Sequence, residues 1–456
     1  MKKAIYIITL LAIFGLSNSA NAQPLAGGRA FSLAVCNNNT VPAWGYNSNG
    51  QLGNGTYTSS NVPVAVSSLT GIKGVACGDR HSLALKNDGT VWAWGDNSNG
   101  ALGNGTYTSS NVPVAVSYLT GITAIAGGRY HSLALRNDST VWAWGFNGEG
   151  ELGNGTYTTS NVPVPVSSLS GIIAISAGTN FCLALKKDST VWAWGLNQEG
   201  ELGNGTNTNS NVPIQITSLS GIIAISCGYF HSLALGKNAT VWAWGYNSNG
   251  QLGIGNYTSS NIPVAISSFT DIKNIAGGRF HSLAIKNDGN VWAWGNNGSG
   301  QLGDGTFTSS THPVQVSSLA NMTFIAAGEQ HSLARKNDGT AWTWGSNLNG
   351  ELGNGTNTNS NVPVQVSGLC PVLSVNEITE QLFVSVFPNP SNGQFTLTLS
   401  KGNGFVEIYN MLGEKVFHSE IKNQESEINL SIQPKGIYIA KFYAGQKMHT
   451  EKIVIQ

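Results

Sequence analysis

Between residues 24 and 375 the chain alternates short apolar runs with segments rich in Gly, Asn, Ser and Thr. In one such stretch Ile122 to Ala126 is apolar, and His131 to Arg136 alternates apolar with polar. Val141 to Gly145 and Val162 to Val166 then give two further extended runs. Alternation of period two marks half-buried strands, and the 3.6-residue recurrence of an amphipathic helix is missing. Asn137-Asp138 opens a turn that sister segments spell Asn-Asp-Gly (Asn87 to Gly89, Asn287 to Gly289, Asn337 to Gly339). That is a hairpin signal, because these residues tolerate φ > 0. Pro163 fits the fourth run to a sheet edge, where no ladder N–H is required.

The pattern repeats. W-A-W-G or a close variant ends at Gly45, Gly95, Gly145, Gly195, Gly245, Gly295 and Gly345, a spacing of 50 residues each time. G-x-x-H-S-L-A-L keeps the same register, starting at Gly28, Gly78, Gly128, Gly178, Gly228, Gly278 and Gly328. A third motif, L-G-N-G-T, follows each W-A-W-G. All 13 tryptophans belong to W-x-W-G, and Pro42 stands in for the missing one. Periods of this length imply solenoids, propellers or arrays. Four short strands per period make a blade, and seven blades in a ring leave no long exposed edge. The expected fold is all-β, with a seven-bladed β-propeller over residues 23–375. Val372 to Val375, or alternatively Pro24 to Ala26, is expected to complete the first blade beside Arg29 to Val35.

Composition agrees with a turn-dense β protein: 57 glycines, and only 10% charged residues where globular proteins carry about 25%. The formal net charge is zero, which argues against a nucleic-acid partner, since such binding rests on a basic surface. Residues 1–22 read as a signal peptide. Lys2 and Lys3 form its basic start, Ile5 to Leu16 its apolar middle and Ala20-Asn21-Ala22 the cleavage site, with the cut after Ala22. The apolar run is short for a membrane span, and no other stretch reaches that length. The mature chain is therefore expected to carry no transmembrane segment. Five cysteines (Cys36, Cys77, Cys182, Cys227, Cys370) cannot all pair internally. Cys77 and Cys227 share a repeat position that holds Gly or Ala elsewhere and read as small buried residues. Cys36 and Cys370 flank the array, and a ring-closing disulfide between them is left open.

G-x-x-H-S-L-A-L, W-A-W-G-x-N and G-Q-L-G-N-G-T, repeated in register, resemble the regulator of chromosome condensation repeat family over about residues 24–375. The resemblance implies a seven-bladed propeller used mainly for protein–protein recognition. Guanine nucleotide exchange, the role of the family's founding member, fits poorly with an export signal and with uniform spacing that leaves no room for an inserted wedge.

After residues 376–381, expected to be a linker, tryptophan disappears and Lys and Glu become frequent. Residues 382–456 show strand signals at Phe395 to Leu399, Phe405 to Tyr409, Ile428 to Ile432, Ile437 to Tyr443 and Lys452 to Ile455, as in a small Ig-like β-sandwich. F-P-N-P-S-N-G, Y-N-M-L-G-E-K-V, K-G-I-Y-I-A-K-F and K-I-V-I-Q resemble the type A sorting domain of the Bacteroidetes type IX secretion system. That resemblance implies recognition by the outer-membrane secretion machinery, and a product secreted or attached to the outer cell surface.

Candidate chemistry is sparse. His81, His131, His231, His281 and His331 share one repeat position and would form a ring, but copies one and four place Phe31 and Phe181 there. A position that accepts Phe reads as packing rather than as a metal site. Glu149/Glu151 and Glu199/Glu201 invite a glycosidase reading, with two carboxylates as acid and base. They fall in a Gly-Asn loop that holds Gln51 and Gln251 in other copies, and read as solvated. Asp96 to Gly100 lacks the distal Glu of a calcium loop and reads as a turn. No catalytic residue, metal or cofactor is expected. Two loop positions vary between copies while the strands hardly change. After W-A-W-G come Tyr46, Phe146 and Tyr246, and after L-G-N-G-T come Tyr57, Tyr107, Tyr157, Tyr257 and Phe307. These eight aromatics form the expected binding rim, apt for a protein or glycan ligand because Tyr joins apolar area to a polar tip. The alternative is that they pack against neighbouring loops. The expected function is a secreted or surface-displayed binding propeller rather than an enzyme. The rival readings are a carbohydrate-active enzyme using the loop carboxylates and, behind it, an exchange factor.

Overall fold

Each 50-residue period folds as one antiparallel sheet whose four strands follow in chain order. Blade 2 runs Ile72–Cys77, His81–Lys86, Val91–Gly95 and Ser110–Ala115, from the axis outward. The computed structural model describes residues 23–370, 384–399, 404–423, 425–444 and 447–456, and holds seven such sheets in succession. The fourth run of blade 3 lies at Ser160–Pro165, the outer strand, so Pro163 meets no ladder on its far side. The chain divides into two units, 1–370 and 371–456. The expected leader with its cut after Ala22, the Val372 to Val375 strand and the 376–381 linker lie outside the described residues.

One bond recurs at every blade junction. The second tryptophan of W-x-W-G is fully buried, and its indole N–H donates to a backbone carbonyl of the preceding blade. Trp94 reaches Gln51 O at 2.8 Å, Trp144 reaches Ala101 O at 2.8 Å, and so on around the ring. The last junction obeys the same rule, with Trp44 of blade 1 bonded to Glu351 O at 2.8 Å. Apolar clusters straddle the junctions accordingly: Leu83, Leu85, Val91 and Ala93 of blade 2 pack with Ala134 and Trp144 of blade 3. The glycine of L-G is required here. Gly53 has φ +65°, and a β-carbon on it would lie 2.6 Å from the Trp94 indole nitrogen.

Ring closure uses the second of the two expected strands. Leu25–Gly27 pairs with Phe31–Ala34, so blade 1 is built wholly from the N-terminal end and shares no strand with blade 7. The seam is fastened by side chains instead. Arg335 stands where the other copies have Val, Leu or Ile (Val35, Leu85, Leu135, Leu185, Leu235, Ile285). It is buried, and its Nη1 donates to Val35 O at 2.6 Å and Pro24 O at 3.1 Å, both in blade 1. Cys36 and Cys370 form a disulfide with Cα atoms 5.5 Å apart, which settles the pairing left open by the sequence. Cys182 is buried between strands, and Cys77 and Cys227 line the central channel. Burial pushes all three thiols above their ordinary pKa, as expected of inert packing residues.

The C-terminal unit is a three-stranded sheet (Val384–Phe387, Gln394–Leu399, Glu425–Asn429) and a four-stranded one (Gly404–Asn410, Lys415–Ile421, Gly436–Ala444, Lys447–Ile455). Their inner faces share a core of Phe395, Leu397, Val406, Ile408, Ile428, Tyr438, Phe442 and Ile453. The strand expected at Ile428 to Ile432 is corrected to Glu425–Asn429, and Ile432 is exposed beyond it. Val384–Phe387 and Lys415–Ile421 are strands that the sequence pattern did not reveal.

Loss of the seam disulfide is expected to cost about 2–5 kcal/mol, because it closes a very long loop. Cys370→Ser should lower the thermal unfolding midpoint, and a reductant should lower it equally in the natural chain while leaving a Cys36→Ser/Cys370→Ser variant unmoved.

Candidate functional site

The histidine ring is a set of blade-to-blade struts. His81 Nε2 lies 2.9 Å from Ser132 Oγ of the next blade, and that hydroxyl donates to Ala101 O at 3.0 Å. The serine has one proton and gives it to the carbonyl, so the imidazole must be the Nε2–H donor. The same arrangement joins His231 to Ser282, His281 to Ser332 and, across the seam, His331 to Ser32. His131 meets Cys182, which replaces the serine in blade 4. Each ring lies over the first glycine of its motif: a β-carbon on Gly78 would sit 2.2 Å from His81 Cε1. Burial lowers the imidazole pKa to about 4 at His81 and His331 and about 3 at His131, His231 and His281. The rings are therefore neutral at ordinary pH. Phe31 and Phe181 fill the same space without the bond.

The loop carboxylates depart from the expectation of a solvated turn. Glu151 and Glu201 have no exposed surface. Each folds back so that one oxygen accepts the amide N–H two residues earlier, Glu149 N and Glu199 N, at 2.9 Å. The other oxygen, Oε1, is buried without a partner. The reason is the junction bond: the carbonyl of this residue lies under the next blade's tryptophan, which carries the side chain inward with it. Burial raises the carboxyl pKa to about 8 at Glu151 and about 7 at Glu201. Gln51, Gln251 and Gln301 make the same backbone bond with a neutral amide. Glu149 is half-buried and accepts from Asn209 Nδ2 of the next blade at 2.6 Å.

His81 pairs with Gly95 at one end of the sheet, so the G-x-x-H loops and the loops after W-A-W-G emerge on one face. Backbone bonds tie them: Tyr46 N to Ala30 O, Phe146 N to Tyr130 O, Tyr246 N to Phe230 O. The eight expected rim residues all lie on this face, in two groups. Tyr57, Tyr107, Tyr157, Tyr257 and Phe307 lie on the outer loops, one per blade, each more than half exposed. Tyr46, Phe146 and Tyr246 lie nearer the axis. Phe146 folds over Gly148, and Tyr246 sits in a cluster with Phe230 at 6.3 Å and Phe280 at 5.9 Å. Phe230 and Phe280 stack on each other at 5.9 Å.

Phe230 and Phe280 come from the two unspecified positions of G-x-x-H, which the sequence reading passed over. These positions carry Arg29-Ala30, Asp79-Arg80, Arg129-Tyr130, Thr179-Asn180, Tyr229-Phe230, Arg279-Phe280 and Glu329-Gln330. No two copies agree, the same copy-to-copy variation that marks the rim, and it is the signal that would have found them. The first residue of each pair surrounds the mouth of the central channel, a cavity of about 550 Å³ lined at this end by Asp79, Arg129, Thr179 and Tyr229. Arg129 Nε lies 3.6 Å from Asp79 Oδ2. Arg29 and Arg279 both pair with Glu329. Tyr229, three blades away, reaches the Asp79 carboxyl. Burial nevertheless raises the Asp79 pKa, outweighing Tyr229 and three nearby guanidiniums. Two of the arginines lie flat on aromatic rings, Arg129 on Tyr130 and Arg279 on Phe280, each at 4.8 Å.

Comparison with known proteins places this geometry. Residues 157–382 match the RCC1-like domain, residues 39–85 and 88–135 match the regulator of chromosome condensation (RCC1) repeat, and residues 385–456 match the secretion system C-terminal sorting domain. A second RCC1-repeat family matches residues 72–101 and 122–151. Among solved structures, human WBSCR16 is 26% identical, with a TM-score of 0.63 over 68% of this chain and 85% of that one. Prp20p of Saccharomyces cerevisiae, studied for its binding to Gsp1p and histones, is 24% identical, with a TM-score of 0.65 over 76% and 87%. Yeast RCC1 (Prp20) bound to Kap60 is 22% identical, with a TM-score of 0.66 over 80% and 91%. The two yeast likenesses bear on the fold alone. No curated protein sequence matches significantly. The sorting domain indicates type IX export to the cell surface or beyond, and among the described residues no helix is long and apolar enough to cross a membrane.

The buried carboxyls set a pH dependence. A carboxyl whose pKa is raised by folding contributes fully below its unfolded value near 4.5, and the contribution is lost as pH rises toward about 8. Stability should therefore fall between those limits. Glu151→Gln/Glu201→Gln, which copies the sister blades, should remove that loss, gaining on the order of 3–4 kcal/mol per carboxyl at pH 8 and almost nothing near pH 4.5. Denaturant unfolding at the two pH values measures the difference.

Proposed function

We propose that this chain, an RCC1-repeat propeller ending in a type IX sorting domain, is an exported binding propeller that holds a protein ligand on the face bearing the G-x-x-H loops. The observation that carries the reading is the cluster of Phe230, Tyr246 and Phe280 beside the aromatic-backed Arg279. Aromatic residues and arginine supply most of the energy at protein interfaces, because they bury large area with few rotatable bonds and present directed donors. Around this centre the rigid ring presents Tyr46 and Phe146, with Tyr57, Tyr107, Tyr157, Tyr257 and Phe307 at the periphery. The residue pairs of the G-x-x-H loops differ in every blade, whereas the struts beneath them repeat, which suits one asymmetric ligand at the centre of this face rather than a seven-fold one.

A glycan is the second reading, favoured by the half-exposed peripheral tyrosines, whose rings are free to stack on sugars. Glycan cleavage finds little support: Glu151 and Glu201 have no exposed surface, so neither reaches a glycosidic oxygen. Partners are expected outside the cell, with the secretion machinery engaging the C-terminal unit.

The full chain, immobilised, should capture a specific protein from the medium of its own cells. Phe230→Ala/Tyr246→Ala/Phe280→Ala should weaken that capture about ten-fold or more, and Tyr57→Ala/Tyr107→Ala/Tyr157→Ala by less. Equal capture by the first variant, with its thermal midpoint preserved, overturns the protein-face reading. Selective loss in the second variant moves the ligand to the periphery and favours a glycan.

A further inference from the structure

The mouth of the channel contains polar atoms that the fold leaves unused. Thr179 is buried, and its Oγ1 has no hydrogen-bond partner. Arg129 Nε is buried and likewise makes no hydrogen bond, its contact with Asp79 lying at ion-pair distance. The two residues are neighbours in adjacent blades, joined by Arg129 N donating to Thr179 O at 3.0 Å, and both face the cavity. A buried hydroxyl left without a partner costs free energy that an incoming acceptor would recover, and the half-exposed Arg129 guanidinium beside it carries terminal N–H groups beyond the Nε that faces Asp79.

We propose that Arg129 and Thr179 form a carboxylate-binding site at the channel mouth. The guanidinium can only donate, and the Thr179 hydroxyl beside it is free to donate as well, so a group that accepts at two oxygens, a carboxylate, satisfies both at once. Arg129 lies over the Tyr130 ring, its Cζ 4.8 Å from the ring centre, and its planar fork is of the kind that meets a carboxylate with two N–H groups. Charge favours an anion here as well. Arg29, Arg129 and Arg279 surround the mouth against Asp79 and Glu329, three cations to two acids. Asp79 is the one acid lining the site and is already engaged by Arg129 and Tyr229, so the ligand approaches from the Thr179 side. The cavity has room for a small free acid, and the mouth opens on the face where a protein ligand would present an Asp or Glu side chain. The inference deepens the function proposed above, on which it rests for a protein ligand, by naming the chemistry the face selects.

Thr179→Val tests it cleanly, since the hydroxyl removed supports nothing in the fold and the variant should unfold no earlier than the natural chain. Calorimetric titration of the full chain at low salt would use succinate as the free acid and the blocked tripeptide acetyl-Gly-Asp-Gly-amide as the protein mimic. The Asn form of the tripeptide serves as control. Binding of at least one acid, about ten-fold weaker in Thr179→Val and more so in Arg129→Gln, is the expected result. Preference for succinate assigns the site to a free acid, and preference for the tripeptide assigns it to an acidic side chain. Failure of both acids to bind at up to about 20 mM, equal binding of the Asn control, or unchanged binding in both variants overturns the proposal. Because these probes are small, a negative result here leaves the capture experiment with the aromatic variants to decide separately whether a protein docks.

Discussion

Everything in the propeller depends on one hydrogen bond made seven times, from a buried indole N–H to a carbonyl of the preceding blade. An isolated four-stranded sheet of this size buries one face poorly, and a repeat array gains its stability at the interfaces between neighbours. The indole serves both needs, filling the wedge between sheets and satisfying a carbonyl that would otherwise be buried unpaired. The same carbonyl also takes the serine hydroxyl of the next blade, as at Gln51 with Trp94 and Ser82. That serine is in turn the partner of the histidine strut at His81, His231, His281 and His331, while His131 meets Cys182 instead. Three motifs that look independent in the sequence are therefore one contact network.

That network explains where the chain is free to vary. The residue supplying the carbonyl is Gln, Ala or Glu in different copies, because only its backbone is used. Outside the network lie the two loop residues before each histidine, a pair that differs in every copy, and the residue directly after each W-A-W-G, which takes six identities in seven copies. A nearly seven-fold interior thus supports a surface with no symmetry. The mouth of the channel shows this most clearly, with Asp79, Arg129, Thr179, Tyr229, Arg279 and Glu329 occupying equivalent positions.

Period, strand order and the packing role of the histidines were legible because each is written seven times over, and sister copies expose which residues are exchangeable. The Phe31 and Phe181 exchanges alone identify an apolar niche. What stayed hidden is what occurs once or depends on the third dimension. Glu151 lies in a segment that reads as a polar turn, and only the position of the next blade's tryptophan shows that it is buried. Arg335 is a single cation at a position otherwise Val, Leu or Ile, and its purpose appears only when the ring closes on Val35 and Pro24. In the C-terminal unit, Lys415–Ile421 carries Lys, His, Ser and Glu among its apolar residues and is mostly half-exposed. Its alternation is therefore faint even though its pairing with Gly404–Asn410 is regular.

The Cys36–Cys370 bond joins the first blade to the last residue of the propeller unit. The sorting domain follows directly in the chain, so any tether acting through it pulls on residue 370. Without the bond, that pull would strip the outer strand Ser360–Gln365 from blade 7 and unzip the ring one hairpin at a time. With it, tension passes covalently into blade 1 and is shared by both sides of the seam. A protein hauled through an outer membrane, or held on a cell by its tail under flow, is thereby loaded in shear across a closed loop rather than peeled from a free end.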